Sequence, residues 1–265
     1  MIDLRVAVKG AGEMGSAVAW CLHKSRLKVF MTDIQKPLAV RREASFCEAV
    51  YDGVKTVEGI EATLVQSADQ AYSIWEAGGI PLLIDPGFSS RAILKPHVVV
   101  DAILAKRNTG TSIGDGDLVI ELGPGFTAGV DVHLVVETNR GHNLGRIITD
   151  GQAEPNTWIP GNIGGFTQER VFRAPVKGRF TACKSIGEFV KQGETVGFVD
   201  GMMVVVEIDG VLRGLIRDET PVDKGTKLGD IDPRGEKTYC YTISEKVRAI
   251  GGSVLEAIMR TFNIV

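Results

Sequence analysis

The chain has 265 residues, of which 44% are hydrophobic and 24% are charged, a composition typical of a globular protein of one or two domains. Its 30 basic and 33 acidic residues give a net charge of −3, so no broad positive field favours nucleic acid. The four cysteines are scattered, and no apolar run approaches the length of a membrane span. We therefore expect a cytoplasmic protein that binds neither nucleic acid nor membrane.

The N-terminal part of the chain alternates strand-like and helix-like patterns. The short apolar runs LRVAVKG and KVFMTDI flank a helical pattern, and the runs IEATLVQ, IPLLIDP and HVVVDAILA follow. Continuous apolar strands that alternate with helices are typical of a parallel sheet covered on both faces. The sequence therefore predicts an α/β fold whose first domain, residues 1–170, is a Rossmann-like parallel sheet.

A glycine motif, G-x-G-x-x-G, joins the first strand pattern to the first helix pattern. In the nucleotide-binding form of this motif, Gly10 makes a tight turn, Gly12 lets a pyrophosphate approach, and Gly15 lets the helix pack on the strand. Asp33, at the end of the next strand pattern, is placed to bind ribose hydroxyls. A turn of the same shape without a nucleotide is the alternative. The predicted cofactor-binding residues are Gly10, Gly12, Glu13, Met14, Gly15 and Asp33.

Residues 105–170 are rich in glycine and polar residues, and loops of this kind often carry binding groups. The segment AKRNTG follows a strand pattern, which predicts a position at the carboxyl end of the sheet, near the nucleotide. The segment GPGFTAG predicts a second backbone cradle for an anion, and NRGHNLGR predicts a polar turn. A solvated basic loop and a tight structural turn are the alternatives. The predicted ligand-binding residues are Lys106, Arg107, Asn108, Thr109, Gly123, Gly125, Phe126, Thr127, Arg140 and His142.

The chain has no obvious catalytic set. Its four histidines do not form an H-E-x-x-H or related pattern, so we predict no metal site, and there is no G-x-S-x-G nucleophile motif. A hydride-transfer enzyme needs a group that protonates the substrate, and the sequence shows none beside the glycine motif. The glycine motif alone therefore does not predict a dehydrogenase, and we assign no catalytic residue.

An internal repeat occupies residues 176–232, where Gly178 matches Gly210 and Asp200 matches Asp232. Its pattern resembles the biotinyl/lipoyl carrier fold over Arg173–Asp232. Such carriers present a lysine where the two halves join, but the corresponding segment GMMVVVE has none, so we expect no covalent biotin or lipoate. We predict a small β barrel-sandwich domain at 171–235, and a C-terminal strand and helix at 236–265 that pack on the first domain.

Several longer segments together resemble the selenium-dependent molybdenum hydroxylase system protein family of the YqeB type. The segments are RREASFCEAVYDG, VVVDAILAKRNTGT, ELGPGFTAGVDVHLVVETNRGHNLGRI and PNTWIPGNIGGFTQERVFRAP, and the resemblance extends over essentially the whole chain. It implies an accessory protein that assists maturation of a molybdenum hydroxylase, which would be its partner, in a role related to that of other molybdenum hydroxylase maturation factors.

The resemblance also suggests a ligand. The hydroxylases it concerns use a pterin linked to cytidine through a pyrophosphate, so the expected cofactor is molybdopterin cytosine dinucleotide, with NAD as the alternative. Two rival functions stay open: an NAD-dependent oxidoreductase in the same pathway, and a docking scaffold with a vestigial nucleotide fold. The sequence leaves open both catalysis and assembly into a homo-oligomer.

Overall fold

The structure is a computed structural model that describes residues 3–263. These residues form two compact units. The first contains the chain up to Pro37, Ser45–Thr157, and the segment from Ile243 onward. The second contains Leu38–Ala44 and Trp158–Thr242. The chain thus passes between the units near residues 38, 45, 158 and 243, whereas the sequence patterns predict limits at 170 and 235.

The first unit is built on a nine-stranded sheet with the strand order β3-β4-β5-β2-β1-β6-β7-β8-β9. Strands β4 to β8, β1 and β2 run parallel, while β3 pairs antiparallel with β4 and β9 pairs antiparallel with β8. The strands are β1 (Arg5–Lys9), β2 (Lys28–Asp33), β3 (Val54–Val57), β4 (Ile60–Val65), β5 (Ile80–Ile84), β6 (Val98–Asp101), β7 (Leu118–Leu122), β8 (Leu134–Val136) and β9 (Ile147–Ile148).

The central strands are buried on both faces, as their apolar sequences require. The helices of this unit are α1 (Glu13–Lys24), α2 (Ala49–Asp52), α3 (Ala71–Glu76), α4 (Arg91–Leu94) and α5 (Glu245–Phe262). Helices α1 and α5 pack closely against each other: a Cβ at Gly251 of α5 would lie only 3.1 Å from the Cβ of Cys21 of α1. No helix within residues 3–263 is long and apolar enough to cross a membrane.

The second unit contains two four-stranded antiparallel sheets, with the orders β10-β17-β15-β12 and β14-β13-β11-β16. Equivalent pairs join the two halves of the repeat: Gly178 pairs with Val222, and Gly210 pairs with Val190. The strands are β10 (Val171–Arg173), β11 (Gly178–Ala182), β12 (Phe189–Val190), β13 (Thr195–Val199), β14 (Met202–Val205), β15 (Gly210–Leu215), β16 (Thr220–Val222) and β17 (Lys227–Asp232).

The predicted combination of a Rossmann-like parallel sheet with a barrel-sandwich domain is wrong. The large sheet is mixed, because β3 and β9 extend its two edges antiparallel. The connections that follow β6 and β7 contain no α-helix, because their glycine-rich, polar sequences cannot form an amphipathic one. Residues 158–242 form two separate antiparallel sheets, and β10 and β14 lie outside the two repeated segments.

Candidate functional site

The glycine turn between β1 and α1 is shaped by two residues that must be glycine. Gly10 has a φ of +90°, and a Cβ there would lie 3.0 Å from the carbonyl carbon of Ala102. A Cβ at Gly15 would collide with the carbonyl oxygen of Gly10. Gly12 differs, because its φ of −67° suits any residue and no atom lies within 4 Å of the Cβ it lacks. The turn therefore leaves open space in front of Gly12.

Helix α1 begins directly after this open space. It has 12 residues, Gly12 is its N-cap, and no side chain within residues 3–263 caps it. Glu13 and Met14 lie half-buried in the first turn. The amide groups at such an end and the helix dipole both favour an anion.

Asp33 lies beside the turn and helps to hold its shape. Its Oδ2 accepts a hydrogen bond of 2.8 Å from the backbone N–H of Ala11, and its Oδ1 accepts one of 2.7 Å from Ile34. Burial raises the pKa of this carboxyl, and the two hydrogen bonds oppose that shift. Because a carboxylate oxygen can accept more than one hydrogen bond, Asp33 can still accept hydrogen bonds from ribose hydroxyls.

The loop of residues 102–110 lies next to the glycine turn through Ala102. Its other side packs on Gly125, where a Cβ would lie 2.7 Å from the carbonyl carbon of Lys106 and from the nitrogen of Arg107. The structure therefore brings three predicted segments together: the glycine turn, AKRNTG and GPGFTAG. Within the loop, Lys106, Arg107 and Thr109 are exposed.

Asn108 closes the end of this loop. Its Oδ1 accepts hydrogen bonds from the backbone N–H groups of Gly110 (2.7 Å) and Thr111 (3.1 Å). Its Nδ2 donates to the carbonyl oxygen of Thr111 at 2.9 Å. The Asn108 amide is thus engaged within its own loop rather than directed at a ligand.

A buried polar row lies at the ends of three neighbouring strands. The register places Lys9 of β1 beside Asp101 of β6, and Asp101 beside Glu121 of β7. Lys9 donates a short hydrogen bond to the Thr111 hydroxyl, which donates to Asp101 Oδ2 at 2.6 Å. Lys9 Nζ lies 4.0 Å from the same oxygen and 5.2 Å from the centre of the Phe88 ring. We call Lys9, Asp101, Thr111 and Glu121 the edge network.

Glu121 is the unusual member of the edge network. It is only 1% exposed, and its Oε2 has no hydrogen-bond partner within residues 3–263. Burial, followed by the neighbouring Asp101, raises the pKa of Glu121 to about 10, although Lys9 lowers it. The carboxyl is therefore protonated at neutral pH and can donate a hydrogen bond.

Sequence reasoning missed the edge network. A signal was present, because Lys9, Asp101 and Glu121 are ionisable residues at or near the ends of otherwise apolar strands. Burying such groups is costly unless they are paired, which makes them candidates for function. Within residues 3–263, no group of three or more His, Cys, Asp or Glu side chains is arranged to hold a metal ion.

The remaining predicted ligand-binding residues have other surroundings. A Cβ at Gly123 would lie 2.6 Å from Thr138 Oγ1, Phe126 is buried in the core, and Thr127 Oγ1 accepts a hydrogen bond of 2.8 Å from Gln152. Arg140 forms an ion pair with Glu245 of α5, and His142 is exposed. These contacts tie the segments to the fold around β8 and α5.

A separate cleft of about 340 Å³ lies beside β9. It is lined by charged and amide side chains that include Glu137, Asn143, Arg146 and Glu154. Glu137 is buried and accepts backbone hydrogen bonds from Asn139 (2.6 Å) and Glu154 (2.7 Å). Its carboxylate therefore supports the walls of the cleft.

Comparison with solved structures gives only distant likenesses. A succinylglutamate desuccinylase/aspartoacylase from Rhodobacter sphaeroides aligns over 86% of this chain and 85% of its own, with 12% identity and a TM-score of 0.27. An aspartoacylase family protein from Mesorhizobium loti aligns over 87% and 85%, with 10% identity and a TM-score of 0.28. Likenesses this weak assign neither a fold nor a function.

Comparison of sequences is more informative. No family model matches the chain. The protein named "Uncharacterized protein YqeB" from Escherichia coli K12 is 46% identical over 254 residues, which are 96% of this chain and 47% of that protein. The chain thus spans about half the length of the curated relative it matches. Over nearly all of its own length, the chain is similar to YqeB.

Proposed function

We propose that this chain binds a nucleotide through its phosphates at the turn formed by Gly10, Gly12 and Gly15. The observation that carries the proposal is the contrast among these glycines. The backbone needs glycine at Gly10 and Gly15, but it does not need glycine at Gly12. A ligand that approaches the backbone closely explains why Gly12 has no side chain.

The electrostatics of the turn support a phosphate. The N-terminal end of α1 lies at Gly12 and carries a partial positive charge. Lys106 and Arg107 lie on the adjacent loop, whose first residue, Ala102, packs on Gly10. Backbone amides, a helix dipole and two cations together match the double charge of a pyrophosphate.

Substitution of Gly12 by valine tests the proposal. Because no atom lies near the missing Cβ and φ is ordinary, Gly12→Val should cost no more than about 1 kcal/mol of stability, the cost of a poorer N-cap for α1. Its side chain would fill the phosphate space, so we expect affinity for NAD+ and for CDP, measured by calorimetry, to fall by about a hundredfold. The matched control is Gly252→Val on α5, where the surroundings are also open. Equal affinities for Gly12→Val and wild type would reject the site.

The identity of the nucleotide is a finer proposal. A backbone cradle recognises the pyrophosphate and not the groups at its ends, so a cytidine-linked pterin and NAD are both chemically suitable. The resemblance of the longer sequence segments to the molybdenum hydroxylase system family is the reason for proposing molybdopterin cytosine dinucleotide, bound while a client hydroxylase matures. Tighter binding of CDP than of ADP would favour this ligand, and the reverse would favour NAD.

The second candidate is an NAD-dependent oxidoreductase. The observation that favours it is the edge network, in which the protonated Glu121 carboxyl lies two strands away from the strand that leads into the glycine turn. Asp33 would repel a 2′-phosphate, so NAD should bind more tightly than NADP. A substrate-dependent change in nicotinamide absorbance would support this candidate over the accessory role.

A further inference from the structure

The loop of residues 102–110 is fastened at both ends by one set of hydrogen bonds. Asp101 lies just before the loop. Its Oδ2 accepts a hydrogen bond of 2.6 Å from the Thr111 hydroxyl, and its Oδ1 accepts one of 3.0 Å from the backbone N–H of Ile103. Thr111, just after the loop, also accepts a hydrogen bond from Lys9. All three side chains, those of Asp101, Thr111 and Lys9, are buried, so water does not compete with these bonds.

The fold makes room for the backbone of this loop. Gly10 lies against Ala102 on one side, and Gly125 lies against Lys106 and Arg107 on the other. A side chain at either glycine would push the loop away. The loop is therefore held between the two glycine turns, and its path is part of the site.

The loop also contains backbone strain. Leu104 and Lys106 each have a φ of +60°, in the left-handed region that residues other than glycine rarely adopt. Such strain persists only where surrounding contacts enforce it, and it is frequent at binding sites. The hydrogen bonds of Asp101 and Thr111 and the packing on Gly125 are contacts of this kind.

From these three observations we propose that the hydrogen bond between Asp101 and Thr111 is a latch that positions Lys106 and Arg107 against the phosphates of the nucleotide. The inference rests on the proposed function, because it assigns a role within the same site. Thr111 and Asp101 are positioning residues, which act through the loop and do not touch the ligand. The hydrogen bond therefore supports contacts with the phosphates of the ligand and not with its base.

The test pairs two substitutions at Thr111. Thr111→Val keeps the volume but removes the hydroxyl, while Thr111→Ser keeps the hydroxyl. We expect Thr111→Val to weaken binding of CDP and NAD+ about tenfold, and Thr111→Ser to restore it. We also expect trypsin to cut after Lys106 or Arg107 about tenfold faster in Thr111→Val, with the products identified by mass spectrometry.

A second variant covers the case in which Thr111→Val does not fold. Asn108→Ala lies at an exposed position, removes three hydrogen bonds at the end of the loop, and should also speed cleavage and weaken binding. Binding that becomes less sensitive to salt in Thr111→Val would show that phosphate contacts are lost.

Each outcome decides the inference. Unchanged cleavage in Thr111→Val and Asn108→Ala would show that there is no latch. Faster cleavage with unchanged affinity would show that the latch holds the loop but does not serve the nucleotide, and would overturn the inference alone. If wild type binds neither CDP nor NAD+, the proposed function fails and this inference fails with it.

Discussion

The two units each bury a cluster of charged side chains, but the clusters are balanced differently. In the second unit, Asp230 Oδ2 lies 3.3 Å from Arg170 Nη1 and 3.6 Å from Lys227 Nζ. Burial alone would raise the pKa of Asp230, but Lys227 and the surrounding arginines lower it overall. This carboxylate is ionised and matched by cations.

Asp232 in the same unit is paired in the same way. Its Oδ2 lies 3.4 Å from Arg213 Nη1 and 2.6 Å from Arg234 Nη2. Burial favours a higher pKa for Asp232, but the hydrogen bonds from Arg234 and the charges of both arginines lower it overall. A structural role is enough to explain this cluster, because its ion pairs join neighbouring segments of the second unit.

The edge network in the first unit has one cation for two carboxyls. Lys9 lies beside Asp101 and donates a hydrogen bond to Thr111, which in turn donates one to Asp101. Among residues 3–263, Glu121 has no cation of its own, and its raised pKa keeps its carboxyl protonated. The comparison teaches that burial alone does not mark a functional site. A buried carboxyl without a cation of its own, such as Glu121, is the better indicator. The second unit also buries an oxygen without a hydrogen-bond partner in the described part of the chain, Asp230 Oδ1, but the charge of that carboxylate is matched by neighbouring cations.

The largest expected effect is in the paired cluster. Asp232→Asn removes the charge that faces Arg213, whose side chain is 7% exposed, so we expect a loss of about 3–5 kcal/mol in the free energy of unfolding. Denaturant titration measures this loss. The control is Asp200→Asn at the equivalent position of the repeat, which is exposed and should cost less than about 1 kcal/mol. Similar losses at both positions would remove the distinction between paired and exposed aspartates.

A smaller effect is expected from the cation of the edge network. Lys9→Met leaves the Asp101 carboxylate buried without a cation, so the free energy of unfolding should fall by about 2–3 kcal/mol. Adding Asp101→Asn removes the unpaired charge and should recover about half of that loss. Additive losses in the double variant would show that Lys9 and Asp101 do not depend on each other.

Part of the fold could be predicted from the sequence. The apolar runs around Val6, Phe30, Leu82 and Val99 coincide with β1, β2, β5 and β6, because strands buried on both faces need continuous apolar residues. The antiparallel edges could not be predicted in this way. The hairpin that joins β3 to β4 turns at Glu58 and Gly59, with φ values of +44° and +78°. Gly59 is a turn signal, but glutamate is unusual at the first turn position, where asparagine, aspartate or glycine is typical.

The site could be predicted only where it is local in sequence. The glycine turn is contiguous, so its spacing alone indicates the two close approaches of Gly10 and Gly15. The edge network joins Lys9, Asp101 and Glu121, which become neighbours only because β6 lies between β1 and β7. Spacing along the chain does not give that strand order.

The last prediction concerns Glu121, and its effect is the smallest of the three near pH 5 and grows with pH. The pKa of Glu121 is raised to about 10 in the folded protein, whereas the ordinary value is 4.5. The folded state therefore keeps a proton that the unfolded chain releases above about pH 4.5, so this carboxyl loses stability as the pH rises toward 10. Glu121→Gln has no proton to release. It should equal wild type near pH 4.5 and be more stable by about 3 kcal/mol at pH 7, because each pH unit between 4.5 and 10 adds about 1.4 kcal/mol.

The advantage of Glu121→Gln should grow further by pH 9, as measured by urea unfolding at each pH. Asp101 and Lys9 face the same carboxyl, so repeating the comparison in the Lys9→Met background shows whether the pH dependence follows Glu121. A constant difference between wild type and Glu121→Gln from pH 5 to 9 would show that Glu121 is not protonated in the fold. If the advantage of Glu121→Gln does grow with pH, glutamate at this position costs stability that glutamine would not. A role in ligand binding or proton transfer then explains the glutamate best, because selection for folding alone would favour the neutral side chain.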